Sequence, residues 1–142
     1  MLAVEHIESP PRDNTGANIL LIDDLRHFKP EILRSAQPDS YLRVCRSSQS
    51  AVEVLGTDDR SWDQLWLDHD LGMVNGEEDT IMAVVDYIVY RSEQGDPLPI
   101  QNFIIHSSNT VGVKNIAMAL GSIGRNCVIV DAKDFFFVPD ED

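Results

Sequence analysis

The sequence predicts an α/β domain, a parallel five-stranded sheet with helices packed on both sides. Three observations carry this expectation. Short apolar runs, each too short for a helix, recur along the chain, and helical periodicity fills the intervals between them. Three of those runs also end in polar, titratable residues. Ile19-Leu20-Leu21-Ile22 leads into Asp23-Asp24, Leu65-Trp66-Leu67 into Asp68-His69-Asp70-Leu71-Gly72, and Phe103-Ile104-Ile105 into His106-Ser107-Ser108-Asn109. Charged groups rarely close a buried strand unless something pairs with them. The carboxyl ends of parallel strands are where an open α/β sheet builds a site.

Taken in order, residues 1–17 hold Pro10, Pro11, Asp13, Asn14 and Gly16 and read as a loosely held leader. The first strand is Asn18 to Ile22. Pro30, after Lys29, suits the first position of a short helix, with Pro38-Asp39-Ser40 beyond its end. Tyr41 to Cys45 reads as a strand, and Ser47 or Ser48 caps a helix using Ala51, Val52 and Leu55, stopped at Gly56. After the Trp66 strand, Met73 to Glu77 reads as a polar loop. Ile81, Val84, Val85, Ile88 and Val89 then share one helix face. Ile100 to Ile105 is a strand, and Asn109 or Thr110 caps a helix with Val113, Ile116, Ala117 and Leu120 inward. Asn126 to Val130 is the last strand. The domain therefore spans residues 18–138, with 139–142 an acidic tail.

Alternation of this kind implies right-handed crossovers and the flavodoxin-like strand order 2-1-3-4-5, truncated after strand five. That order makes the first and third strands neighbours. Asp23 and Asp24 then face Asp68 and Asp70 across one crevice. It also sets Cys45 and Cys127 at opposite edges of the sheet, too far apart for a disulfide.

The 142 residues are 43% hydrophobic, enough for one domain with its own core. A net charge of −13 excludes binding duplex nucleic acid through its backbone, because no basic surface is present to release counterions. A small phosphorylated substrate or an RNA end remains open, since one phosphate needs only a local cluster of donors. No run is long and apolar enough to span a bilayer, no secretory signal is visible, and the two cysteines form no close-spaced motif. A cytoplasmic protein is expected.

Clustered carboxylates raise one another's pKa unless a cation separates them. Asp23, Asp24 and Asp68 are the candidate ligands of a divalent ion, with Mg²⁺ or Mn²⁺ best suited to oxygen donors. His106 follows a strand and precedes a helix N-terminus, where an imidazole beside an anion site can serve as general acid or base. Asp68 and Asp70 complete the catalytic candidates. Arg26, His69, Ser107 and Asn109 are the candidates for holding substrate, although Arg26 reads equally well as a salt bridge that neutralises the acids. Trp62 and Trp66 could stack on a base, but Trp66 within an apolar strand reads as core. His27, close behind Asp24, could line the rim.

Paired acids after the first strand and another after the third resemble the receiver domains of two-component signalling. By that likeness Asp68 would be the phosphoacceptor. Receivers carry Thr or Ser after the fourth strand where this chain has His106, and Lys133 matches their fifth-strand lysine only approximately. A closer resemblance is to the cyclic-phosphate-processing receiver domains of bacteria and phages. It rests on Asp23-Asp24-Leu25-Arg26, on Leu67-Asp68-His69-Asp70-Leu71-Gly72 and on His106-Ser107-Ser108-Asn109, and spans residues 18 to 120. That family usually has Glu where Leu25 stands, so this chain carries one carboxylate fewer there. The resemblance implies a receiver-like fold acting on a cyclic phosphate of a nucleotide, RNA end or ADP-ribose derivative. Two other functions stand beside it: a phosphoaccepting signalling domain, and a non-catalytic module, phage-encoded by this resemblance, that binds a protein partner.

Overall fold

The computed structural model describes residues 3–4 and 16–139. The first half runs β1 (Ala3–Val4), β2 (Asn18–Ile22), β3 (His27–Phe28), α1 (Pro30–Arg34), β4 (Tyr41–Cys45), α2 (Ser48–Thr57) and β5 (Trp62–Leu67). There follow β6 (Asp70–Val74), β7 (Glu77–Thr80), α3 (Met82–Glu93), β8 (Ile100–Ile105), α4 (Thr110–Gly121), β9 (Cys127–Ile129), a 3-10 turn (Ala132–Asp134) and β10 (Phe136–Phe137). The main sheet is parallel throughout, in the order β1-β4-β2-β5-β8-β9. The five strands expected from the sequence are present in the expected order. Ala3–Val4, within the segment read as a leader, adds a sixth strand beside β4. The remainder of residues 1–15 and residues 140–142 of the acidic tail lie outside the described residues.

Both faces of the sheet are covered, in different ways. Leu20, Ile22, Leu65, Leu67, Phe103 and Ile105 meet α2, α3 and α4 through Val54, Leu55, Val84, Val85, Ile88, Ile116 and Leu120. Ile19, Leu21, Leu42 and Trp66 face the opposite way, against Phe28, Phe136 and the half-buried Ile32, Leu33 and Phe135. The second layer is thin because α1 is five residues long and no fifth helix follows β9 among the described residues. The chain turns through Ala132–Asp134 instead, and β10 pairs antiparallel with β3. Each large apolar side chain buried here contributes roughly 1.5–3 kcal/mol, and Trp62 and Trp66 are among them, at 1% and 6% exposure. That settles both tryptophans as core.

Local signals placed most elements. Ser47 caps α2, its side chain accepting from the Ser50 N–H, and Asn109 caps α4 by accepting from the Gly112 N–H at 2.9 Å. Pro30 sits in the first turn of α1, and that helix stops at Arg34, ahead of Pro38. The helix capped by Ser47 runs one residue past Gly56, to Thr57. Met73 to Glu77 is not a loop. It belongs to an antiparallel hairpin, β6–β7, turned by Asn75 and Gly76 at φ 53° and 81°. Its strands are mostly exposed and acidic, so no apolar alternation announced them; Asn75-Gly76 was the signal. Asp79 moors the hairpin to α2, accepting from the Ser48 N–H at 2.9 Å and the Ser48 hydroxyl at 2.5 Å. Cys45 and Cys127 are free, on β4 and β9, with β2, β5 and β8 between them.

Candidate active site at the strand ends

Asp23, Asp68 and His106 each stand one residue beyond a strand, after β2, β5 and β8. The registers Ile22–Leu67 and Leu67–Ile105 set them in one row. The ladder continues one step further through Asp68 N–H to Ile22 O at 3.1 Å and His106 N–H to Leu67 O at 3.0 Å. Alternation points their side chains to the face shared by Leu21, Trp66 and Ile104. The His106 ring accordingly packs 4.5 Å from Phe136 and 6.1 Å from Trp66 between centroids.

Asp23 is fully buried, and both its oxygens are engaged twice. Oδ1 accepts from the Leu25 and Arg26 N–H groups at 2.9 and 2.8 Å. Oδ2 accepts from Arg26 Nη1 at 3.3 Å and pairs with His106 Nε2 at 2.8 Å. Burial alone would raise this carboxyl, but the His106 bond and the backbone donors outweigh it and hold its pKa at about 2. Asp68, 5% exposed, receives Arg26 Nη1 on Oδ2 at 3.2 Å. Its burial and the neighbouring Asp23 charge, opposed by Arg26, push it up to about 7. Asp24 is half-buried, and burial raises its carboxyl as well. For His106, burial lowers the pKa despite the Asp23 carboxylate, so the imidazole is neutral near pH 7.

One oxygen each from Asp23, Asp24 and Asp68 lie within 4.8 Å of one another, a spacing that suits a divalent ion. Asp23, however, already has four hydrogen-bonding partners, two on each oxygen. Asp24 and Asp68 are the two whose oxygens could take an ion, and Gly72 leaves space beside Asp24. A Cβ at Gly72 would stand 2.8 Å from Asp24 Oδ2, and φ of +81° already favours glycine. Arg26 takes the neutralising role, bridging Asp23 and Asp68.

A second group lies beside this one. His69 Nδ1 meets Asp70 Oδ1 at 3.0 Å, and Asn109 Nδ2 donates to Asp70 Oδ2 at 3.2 Å. The His69 bond lowers the Asp70 carboxyl against the opposing effect of burial, and the Asn109 bond adds to the lowering. The His69 ring lies against Gly112, where a Cβ would overlap it. Asp70 is 61% exposed at its side chain and is not among the three converging acids.

His106, Arg26 and Ser107 line a cleft of about 720 Å³, joined by Ser108 and Thr110 at the start of α4 and by Lys133 and Phe136. The Ser107 hydroxyl accepts the Asn109 N–H at 3.1 Å, which shapes the entry to α4. Asn109 is spent on capping α4 and on Asp70, and does not line this cleft. Sequence reasoning took Thr110 only as a candidate cap, and it passed over Arg46. The Arg46 guanidinium donates to the carbonyls of Asp23 at 3.0 Å and Arg26 at 2.7 Å, pinning the turn that carries both. Its signal was a cation directly after the Tyr41–Cys45 strand, in the same layer as the acids. His27 does not line this cleft; it lines a separate pocket with Arg46, its Nε2 3.3 Å from Arg46 Nη2.

A parallel sheet in this order, with acids after its first and third strands, defines a receiver-like α/β domain. The chain belongs to the cyclic-phosphate processing receiver domain family, whose model matches residues 18–122. Two solved structures are similar. The signal receiver domain assigned to a Luxo repressor protein from Vibrio parahaemolyticus shares 14% identity at a TM-score of 0.48, over 84% of this chain and 83% of that one. A fusion carrying a yeast Spc42 trimeric coiled-coil segment shares 16% identity at a TM-score of 0.44, over 80% of this chain and 68% of that one. No protein of curated function matches the chain. Among the described residues, no helix is long and apolar enough to cross a membrane.

Proposed function

We propose that the chain hydrolyses a cyclic phosphodiester carried on a nucleotide-sized molecule. The observation that carries this reading is His106, neutral, held by Asp23 and lining a cleft shared with Arg26 and the α4 N-terminus. The family membership supports it. The N-terminal end of α4, together with Arg26, attracts the phosphate. His106 takes a proton from the attacking water, the ring P–O bond breaks, and the proton passes to the departing oxygen, leaving a phosphomonoester and a hydroxyl. Asp24 and Asp68 would hold a divalent ion, Mg²⁺ or Mn²⁺, which when bound would offset the charge on the phosphoryl oxygens.

Phosphorus NMR with 2′,3′-cyclic nucleotides, cyclic-phosphate RNA ends and ADP-ribose cyclic phosphates tests the reading. Turnover is expected with at least one substrate, and His106→Ala should lower it on the order of a hundredfold. No turnover across that panel with Mg²⁺ and Mn²⁺ would overturn it. Labelling of Asp68 by acetyl phosphate, untouched by His106→Ala, would put a signalling receiver in its place.

A further inference from the structure

We infer that Asp23 is the positioning residue of a buried Asp–His pair, which fixes His106 as its Nε2–H tautomer and makes Nδ1 the nitrogen that exchanges protons in the cleft. The inference rests on the hydrolytic reading above and assigns Asp23 a role other than metal ligand. Three of the four groups around the Asp23 carboxyl can only donate: the Leu25 N–H, the Arg26 N–H and Arg26 Nη1. A proton on Oδ1 would face two backbone N–H groups, and one on Oδ2 would crowd the Arg26 guanidinium. The carboxyl is therefore an acceptor on every side, and His106 Nε2, 2.8 Å away, must be the fourth donor.

A neutral imidazole has one N–H, so placing it on Nε2 leaves a bare lone pair on Nδ1. That atom is buried and has no hydrogen-bond partner among the described residues. Buried polar atoms without partners are rare and call for an explanation. Here the aromatic rings packed beside the imidazole, Phe136 and Trp66, cannot compete for a proton. His106 is among the residues lining the cleft, but Nδ1 itself has no exposed surface, so a water reaches it only when that wall of the cleft yields. During hydrolysis Nδ1 accepts the proton of the attacking water and returns it to the departing oxygen. Nε2–H stays on Asp23 throughout, and Asp23 itself takes no proton.

Long-range ¹H–¹⁵N NMR of the whole chain reads the tautomer directly, without substrate. His106 should carry its proton on Nε2, and a proton on Nδ1 overturns the inference. In Asp23→Asn the amide nitrogen cannot face the two backbone N–H groups, so it turns toward His106 and donates to Nε2. The tautomer should then switch to Nδ1–H, and an unchanged tautomer in a folded variant overturns the inference as well. If Asp23→Asn does not fold, the wild-type spectrum decides alone. On a substrate that the wild type turns over, Asp23→Asn should lower kcat on the order of a hundredfold with KM little changed, a split that lost packing alone would not produce. A wild type inactive on every cyclic phosphate sinks the proposed function and leaves the pairing to the two spectra.

Discussion

Asp23 and His106 lie 83 positions apart in the chain, yet their side chains meet at 2.8 Å with neither exposed to solvent. The contact passes over Asp68, because β5 lies between the strands that carry the two partners. Three groups able to ionise thus occupy one buried row, with the Arg26 guanidinium bridging two of them. The balance of that row governs how the protein responds to pH, to cations and to substitution.

Asp68 sets the first expectation. Its folded pKa, about 7, lies above its ordinary value of 3.8, so its contribution to stability is complete below about pH 4 and is lost as pH rises through 7. Asp23 runs the other way. With a folded pKa of about 2, its contribution is present above 3.8 and lost as pH falls through 2. Metal-free protein should lose on the order of 3–4 kcal/mol of Asp68-linked stability between about pH 4 and pH 8. Asp68→Asn should remove that loss, so the variant outlasts the wild type in urea at pH 8 and the gap narrows at pH 5. An equal gap at both pH values would contradict the assignment.

Cation binding should require the same side chain. Mg²⁺ or Mn²⁺ should raise the wild-type melting temperature at pH 8 and leave Asp68→Asn unmoved. Calorimetric titration that finds equal affinity in both proteins would remove Asp68 from the ion site.

Arg26 separates neutralisation by the protein from neutralisation by an ion. Arg26→Gln leaves Asp23 and Asp68 without their shared cation and should cost about 2 kcal/mol in the metal-free protein. Mn²⁺ should restore more stability to this variant than to the wild type, because the ion no longer competes with a guanidinium. Thermal melts with and without Mn²⁺ measure both effects.

Gly112 tests whether the second group depends on close approach. Gly112→Ala puts a methyl into the His69 ring. Overpacking of roughly 1–3 kcal/mol should exceed the gain of up to about 1 kcal/mol in helix propensity. The His69 imidazole resonances should shift with the loss of its bond to Asp70. A variant as stable as the wild type, with His69 unshifted, would show that the helix yields instead.

The sheet and most of the site were legible in the sequence, for a physical reason. Both faces of β2 and β5 are buried, so Ile19–Ile22 and Leu65–Leu67 had to be apolar throughout. Anything charged directly after them then stood out. Parallel pairing made the strand ends coincide, which brought Asp23, Asp24 and Asp68 together without knowledge of a single contact. The hairpin around Asn75-Gly76 and the ribbon of β3 with β10 were not legible. Their strands are short and bury too little on any one face to impose a period, and β10 finds its partner more than a hundred positions away. The division of labour within the site also needed the tertiary structure. Composition could name Arg26 as clamp or counterion and His106 as acid or base, but hydrogen-bond capacity is filled only in three dimensions. Four hydrogen-bonding groups converge on Asp23, which leaves Asp24 and Asp68 as the acids with room for a cation and gives the His106 ring a fixed orientation.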